Sequence, residues 1–412
     1  MSDASGPSKK GLICHRPIWE GLLHALHEIL VEHRPADKVI QYQMKAHKQW
    51  GRRDRGLFAE AVYGVVRWRR RLLYAAGVDE PALDGPSLQA MALVHLAQHG
   101  IALGKGIPIT PIDWQTVRGR YENPPSRAVA ESIPDWLDQV GFQELGAQWD
   151  QILPALNVEA PVFLRTNRLK TTPQKLVKEL EQEGLACQIE VGDTLRLSKR
   201  TNVFLTESFR QGHFEVQDLH SQQAALALDV QPGQRVVDAC AGAGGKTLQL
   251  ASLMGNRGKI IALDVVQKKL TTLRERSNRA GASIIETRLI ESSKVIKRMQ
   301  DSADRVLLDV PCTGLGVLRR NPDSKWHLSP EELTRLNLLQ SKILEDYSSM
   351  CRVGGRLVYA TCSILPSEDS HVVDGFLNRH GDQWKCLKQN LLVPTPTGGD
   401  GFFVAVLERM SS

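Results

Sequence analysis

The chain has 412 residues, 42% hydrophobic and 24% charged, with a formal net charge of +6. That length exceeds one ordinary core and predicts two or three domains, with the balance of a soluble globular protein. No apolar run approaches the ~20 residues a membrane span needs, and the opening MSDASGPSKKGLICHRP is not apolar enough for a signal peptide, so a cytoplasmic protein without a membrane partner is expected.

The first hundred or so residues read as helical. Ile18, Leu22, Leu23, Leu26, Ile29 and Leu30 recur at helical spacing. A second helix covers RDRGLFAEAVYGVVRWRRRLLYAAG, with Leu57, Phe58, Ala61, Val62, Val65, Val66, Leu72 and Leu73 on its apolar side. Arg67, Arg69, Arg70 and Arg71 cluster near its C-terminal end, where cations also suit the helix dipole. Between Lys45 and Arg71 nine Lys or Arg face two acids, Asp54 and Glu60. Such a field attracts polyanions, although charge runs are more often solvated helix faces. Helices continue past the proline- and glycine-rich GKGIPITPIDW to about Leu156.

The pattern then changes. PVFLRTN reads as a strand and TPQKLVKELEQEG as a helix with Thr172 as N-cap and Pro173 in its first turn. CQIEV, TLRLS and HFEVQD read as short strands, giving a small α+β module. From about Gln217 strand and helix alternate: RVVDAC, GKIIALDV, SIIETRLI, DRVLLDVP and GRLVYATCS are rich in Val, Ile and Leu with little alternation, as strands covered on both faces are. Between them, SPEELTRLNLLQSKILEDYSSM opens with a capping box from Ser329 to Glu332. The expected fold is α/β, a doubly wound, mostly parallel Rossmann-like sheet at the C-terminus. The predicted divisions are a helical domain over 1–125, linker helices and the α+β module over 126–214, and the sheet domain over 215–412.

In such sheets ligands bind outside the carboxyl ends of the strands. The first strand ends in DACAGAGGKT. A phosphate loop would need glycine where Cys240 stands, and a dinucleotide fingerprint would need a third glycine where Thr247 stands. S-adenosylmethionine needs a looser glycine turn and an acid closing the second strand for its ribose hydroxyls, and Asp264 is such an acid. A tight turn with no ligand is the bland alternative.

Seven cysteines are scattered without a C-x-x-C pair, so no zinc or other metal site is expected. Cys14, Cys187, Cys351 and Cys386 read as ordinary buried thiols. Cys312 and Cys362 differ, because each ends a strand of the sheet, on the ligand side. Carbon-5 of cytosine is a poor nucleophile. A thiolate that adds to carbon-6 makes carbon-5 an enamine-like centre able to attack a sulfonium methyl. A second group must then help undo the adduct. Asp309, three residues before Cys312, can reach the base's exocyclic amine and ring nitrogen. Either cysteine alone reads as an inert buried thiol; two at strand ends beside a ligand turn do not.

DVPCTGLG, RRNPDSKW and YATCSILPSEDSHVV, with FEVQDLHSQQ and DGFFVAVLER, resemble the Nop/Sun-type RNA cytosine-5 methyltransferases. RDRGLFAEAVYGVVRWRRRL is similar to the NusB-like helical domain carried by a bacterial branch of that family, which acts on small-subunit ribosomal RNA. The likeness spans nearly the whole chain. It implies Cys362 as nucleophile, Cys312 as the group that assists release, and Asp309 as the cytosine ligand, on the donor side as well. It implies that Cys240, Ala241, Gly242, Ala243, Gly244, Gly245 and Lys246 surround the methionine part of S-adenosylmethionine, and that Asp264 holds its ribose. Two departures stand out. Gly242 and Ala243 occupy the place of the family's alanine–proline, and the third-strand acid is Glu291, with Glu286 as rival, where aspartate is usual.

The implied partner is RNA, ribosomal first and transfer RNA second, acted on by a monomer. Its target base must be single-stranded or flipped. Arg319, Arg320 and Lys325 in the loop after the active-site strand are expected to hold phosphates, and Arg67, Arg69 and Arg70 to extend that surface. The competing readings are a nucleotide-triphosphatase built on GGKT and a non-catalytic RNA-binding assembly factor.

Overall fold

The computed structural model describes residues 11–78, 83–109 and 112–411. The chain divides into two compact units: one runs to Asn157 and takes in Leu318–Leu328, and the other comprises Val158–Val317 and Ser329–Ser412. The helical unit thus extends past the boundary expected near residue 125, because Arg127–Ala130 packs on the helix Arg52–Ala76 and leads into Asp135–Leu145 and Gln148–Asn157.

The helical unit is built on Arg16–Leu30, Ala36–Ala46, Arg52–Ala76, Gly85–Gln98 and Trp114–Glu122. Every residue of the predicted apolar stripes in the first and third of these is buried except Leu23, which is half-buried. Helix starts are marked by acids that accept backbone N–H groups, Asp84 from Ser87 and Asp113 from Gln115 and Thr116. The unit is not wholly helical: Ile13–Cys14 (β1) pairs in parallel with Ala102–Leu103 (β2).

The helix Arg52–Ala76 kinks at Trp68, whose φ and ψ are −102° and 16°. A kink opens backbone groups that need new partners. The carbonyl of Val66 accepts from Trp326 Nε1 at 2.7 Å, and the amide of Arg70 donates to Ser132 Oγ at 2.9 Å. Lys325 Nζ donates to the Arg67 carbonyl at 2.9 Å, and Arg67 Nη2 donates to the Arg319 carbonyl at 2.9 Å. The segment RRNPDSKW is therefore part of the helical unit's packing. This overturns the expectation that Arg319 and Lys325 offer their charges to phosphates, since both side chains are buried, at 1% exposure. Trp326→Phe keeps an aromatic ring but removes the pyrrole half of the indole with its donor to Val66, so it should lower the stability of this unit by about 1–3 kcal/mol in thermal or denaturant unfolding.

The second unit opens with an antiparallel four-stranded sheet. Phe163–Thr166 (β3), Cys187–Val191 (β4), Thr194–Leu197 (β5) and Phe214–Val216 (β6) lie in the order β4-β5-β3-β6. The helix Pro173–Gln182 follows β3, with Thr172 accepting from Lys175 N as its cap.

The larger sheet comprises Arg235–Asp238 (β7), Lys259–Asp264 (β8), Ile285–Leu289 (β9), Ala303–Asp309 (β10), Cys351–Thr361 (β11), Trp384–Leu392 (β12) and Phe402–Arg409 (β13). Their order is β12-β13-β11-β10-β7-β8-β9; β7 to β11 are parallel and β13 is antiparallel to both neighbours. Successive residues enter two different apolar clusters, Val306 and Leu308 in one and Leu307 in the other. That explains the near-continuous apolar strands. β12 and β13 lie outside the five strands expected from alternation. β12, WKCLKQNLL, is a polar edge strand and carries little apolar signal. Ser329 caps Pro330–Ser348 by accepting from Glu332 N, while the Glu332 carboxylate pairs with Arg335 at 2.7 Å. Among the described residues no helix is long and apolar enough to cross a membrane.

Candidate active site

Winding reverses between β7 and β10, and ligands favour such switch points. The turn leaving β7 lies there. Gly242 and Gly244 adopt φ of 55° and 89°, which favours glycine. A Cβ on Gly244 would stand 2.0 Å from Leu273 Cδ1, whereas one on Gly242 or Gly245 would meet open space. The turn is held from behind. Arg165 of β3 donates to the Gly245 carbonyl at 2.8 Å, and Arg276 donates to the Ala243 carbonyl at 2.7 Å and to Glu215 of β6 at 2.9 Å. These supports have no local sequence signal, because they come from the preceding module and from a helix surface.

Asp264 ends β8 against this turn. Its Oδ2 accepts from Gly242 N at 2.9 Å and its Oδ1 from Val266 N at 2.8 Å. Glu291 is exposed, just past the end of β9, where the neighbouring Ile290 N donates to the Asp264 carbonyl at 3.0 Å. Glu286 lies within β9, and its carboxylate is held by Arg288 and Lys259, which push it down to about 2. Between the rivals, Glu291 is the one at the ligand end. The Cys240 thiol is pushed well up by burial and by the carboxylates of Asp238, Asp309 and Asp264.

Asp238, the last residue of β7, was not anticipated as a site residue, although an acid inside RVVDAC was the signal available. It is buried, accepts from Thr247 Oγ1 at 2.7 Å, and is driven up to about 7, first by burial. A carboxyl whose folded value exceeds its unfolded value of about 3.9 stabilises the fold below that value and loses the contribution as pH rises towards 7. Asp238→Asn should therefore raise the melting temperature of the protein little near pH 4 and progressively more up to about pH 8, within a ceiling of ~4 kcal/mol.

Asp309 ends β10, paired in register with Ala360 of β11. Lys246 Nζ lies 2.7 Å from Asp309 Oδ2 and 4.9 Å from the centroid of the Phe402 ring. Three residues beyond Asp309 comes Cys312, and Cys362 directly follows β11. Because β10 and β11 are parallel neighbours, the two thiols converge, with Sγ atoms 3.3 Å apart. Gly316 N donates to the Cys362 carbonyl at 2.9 Å, and Gly401 N donates to the Gly316 carbonyl at 2.8 Å. A Cβ on Gly316 would come 2.2 Å from the Gly401 carbonyl oxygen, so only glycine lets these loops close on Cys362. The Cys312 thiol is pushed well up by its hydrogen bond to Cys362, by burial and by nearby negative charge.

The basic residues assigned to RNA all belong to the helical unit. Arg67 and Lys325 are engaged at the helix kink, Arg70 pairs with Asp135 at 2.8 Å, and the Arg69 guanidinium lies over Trp326 at 4.8 Å. Arg320 is half-buried. The set is chiefly internal structure of the helical unit, with Arg319 and Lys325 withdrawn from solvent altogether. Among the described residues no group of three or more His, Cys, Asp or Glu is placed to hold a metal ion.

The strand order, the glycine turn at the switch point and the acid closing β8 define a Rossmann-like methyltransferase. The chain belongs to the 16S rRNA methyltransferase RsmB/F family, whose model matches residues 225–408; the ferredoxin-like domain model of RsmF/B-like methyltransferases matches residues 133–204. It is 32% identical to the ribosomal RNA small subunit methyltransferase B of Pseudomonas syringae, over 87% of this chain and 90% of that protein. Against the protein of that name from Serratia proteamaculans it is 36% identical, over 67% of this chain and 66% of the relative. A crystal structure of a methyltransferase homolog protein from Pyrococcus horikoshii superposes with a TM-score of 0.60 at 27% identity, covering 69% of this chain and 97% of that one.

Proposed function

We propose that this protein transfers a methyl group from S-adenosylmethionine to carbon-5 of a cytosine in RNA, small-subunit ribosomal RNA before transfer RNA, through a cysteine–cytosine adduct. The observation that carries this reading is the 3.3 Å approach of Cys312 and Cys362 beside the glycine turn. The turn suits the donor. The space that a Cβ at Gly242 or Gly245 would fill leaves the backbone accessible, and the carboxylates around Cys240 favour a cationic sulfonium. Residues Cys240 to Lys246 would hold its methionine part, Asp264 the ribose, and Glu291 the adenine side. When bound, the donor supplies an electrophilic methyl.

The protein's own groups do the rest. Cys362 is the sulfur that adds to carbon-6, and its neighbour Cys312, 3.3 Å away with its thiol pushed well up, is the one that keeps its proton. Asp309, fixed by Lys246, receives the cytosine amine and orients the ring. After methyl transfer solvent takes the carbon-5 proton, the electron pair of that bond forms the carbon-5–carbon-6 double bond and expels the Cys362 sulfur, and Cys312 donates its proton to that departing sulfur. Nucleoside mass spectrometry and bisulfite sequencing of ribosomal and transfer RNA, from cells with and without the protein, test the reading. One ribosomal cytosine should lose its 5-methyl group when the protein is absent; an unchanged map of 5-methylcytosine in both RNAs contradicts it.

A further inference from the structure

Glu368 is fully buried and belongs to neither strand end, yet it joins both. Its Oε1 accepts from Thr313 N at 2.8 Å and from Gln340 Nε2 at 2.9 Å; its Oε2 accepts from the hydroxyls of Thr313 and Ser363. Thr313 follows Cys312 and Ser363 follows Cys362, so the residue after each thiol is bound to the same carboxylate. Gln340 also donates to the carbonyl of Pro311 at 3.0 Å, which fixes the residue before Cys312. The anchor is itself immobilised, since Tyr359 Oη of β11 donates to the Glu368 carbonyl at 2.7 Å. A buried carboxylate is costly unless donors satisfy it. Four donors do so here, and three of them come from the residues that follow the two cysteines.

From this geometry we infer that Glu368 is a positioning residue that sets the separation of Cys312 and Cys362 by clamping Thr313 and Ser363 onto one carboxylate. The inference gives a structural cause for the thiol pairing on which the proposed reaction rests. It requires no contact between Glu368 and RNA or donor.

The test uses the sulfur pair as a ruler, independently of methyl transfer. Diamide oxidises two adjacent thiols to a disulfide while its azo group takes up both hydrogens to become a hydrazine. The rate of the Cys312–Cys362 crosslink, read by peptide mass spectrometry on the full chain, therefore reports their separation. Removing a hydrogen bond to a charged group should slow that crosslink ~10-fold in Ser363→Ala, and by more in Glu368→Ala. Glu368→Gln should recover most of the rate lost in Glu368→Ala, because its amide oxygen can accept from Thr313 N while the Thr313 and Ser363 hydroxyls rotate to accept from its nitrogen. A merely structural loss would show no such rescue. Melting curves establish that each variant is folded; should Glu368→Ala not fold, Ser363→Ala and Thr313→Val decide. Crosslinking at the wild-type rate in folded Glu368→Ala, or in both of those variants, overturns the inference. Failure of the underlying reading looks different: the wild type would crosslink in a Glu368-dependent way yet methylate no RNA cytosine.

Discussion

Cys362→Ala should abolish methyl transfer, lowering the turnover number by ~10⁴-fold or more, as expected when a covalent nucleophile is removed. The proposed donor site is made by other residues, so binding of S-adenosylmethionine, followed by calorimetry or equilibrium dialysis, should survive. The nearest sulfur, Cys312, belongs to a different loop, and burial and the Glu368 carboxylate still hold its thiol up once the hydrogen bond to Cys362 is gone. It offers no ready replacement. Retained turnover in Cys362→Ala would refute the assignment of the nucleophile.

Cys312→Ala should have the opposite signature. In the proposed reaction the addition step would keep Cys362, Asp309 and the glycine turn, but the departing sulfur would lose the neighbour 3.3 Å away. A protein–RNA adduct should then accumulate as a slow band on denaturing gels, sensitive to ribonuclease and dependent on donor, while product release falls by ~10²-fold or more. Absence of that band with an RNA that the wild-type protein methylates would reduce Cys312 to a structural thiol. The two variants together separate attack from release.

Much of this site is legible in the chain itself. Two apolar runs ending in cysteine, a glycine turn after the first strand and an acid after the second suffice to place four groups at one end of a parallel sheet. What the string of residues leaves open is whether DRVLLDVP and GRLVYATCS are neighbours; pairing of Asp309 with Ala360 supplies that link. Sequence reasoning failed at RRNPDSKW. Three cations after an active-site strand look like phosphate ligands, because the pull of a kinked helix is invisible one-dimensionally. Open carbonyls at Val66 and Arg67 draw in Trp326 and Lys325, and the charge goes to backbone oxygen. Glu368 was missed for a related reason. Its partners Thr313 and Gln340 are 55 and 28 residues away, and an acid in a polar loop otherwise looks like surface. The same holds for Arg165, whose role as support for Gly245 spans 80 residues.

In the proposed reaction one sulfur bonds to the ring before the methyl moves. RNA carrying 5-fluorocytosine tests it most directly, because after methyl transfer carbon-5 bears fluorine and methyl and has no proton to lose, so elimination stops. Incubated with donor and this RNA, the wild-type protein should form a stable complex whose digested peptide carries a methylated fluorocytosine on Cys362. Mapping of the nucleotide to another residue, or methyl transfer to unsubstituted cytosine with no trapped complex on the fluorinated RNA, contradicts the account.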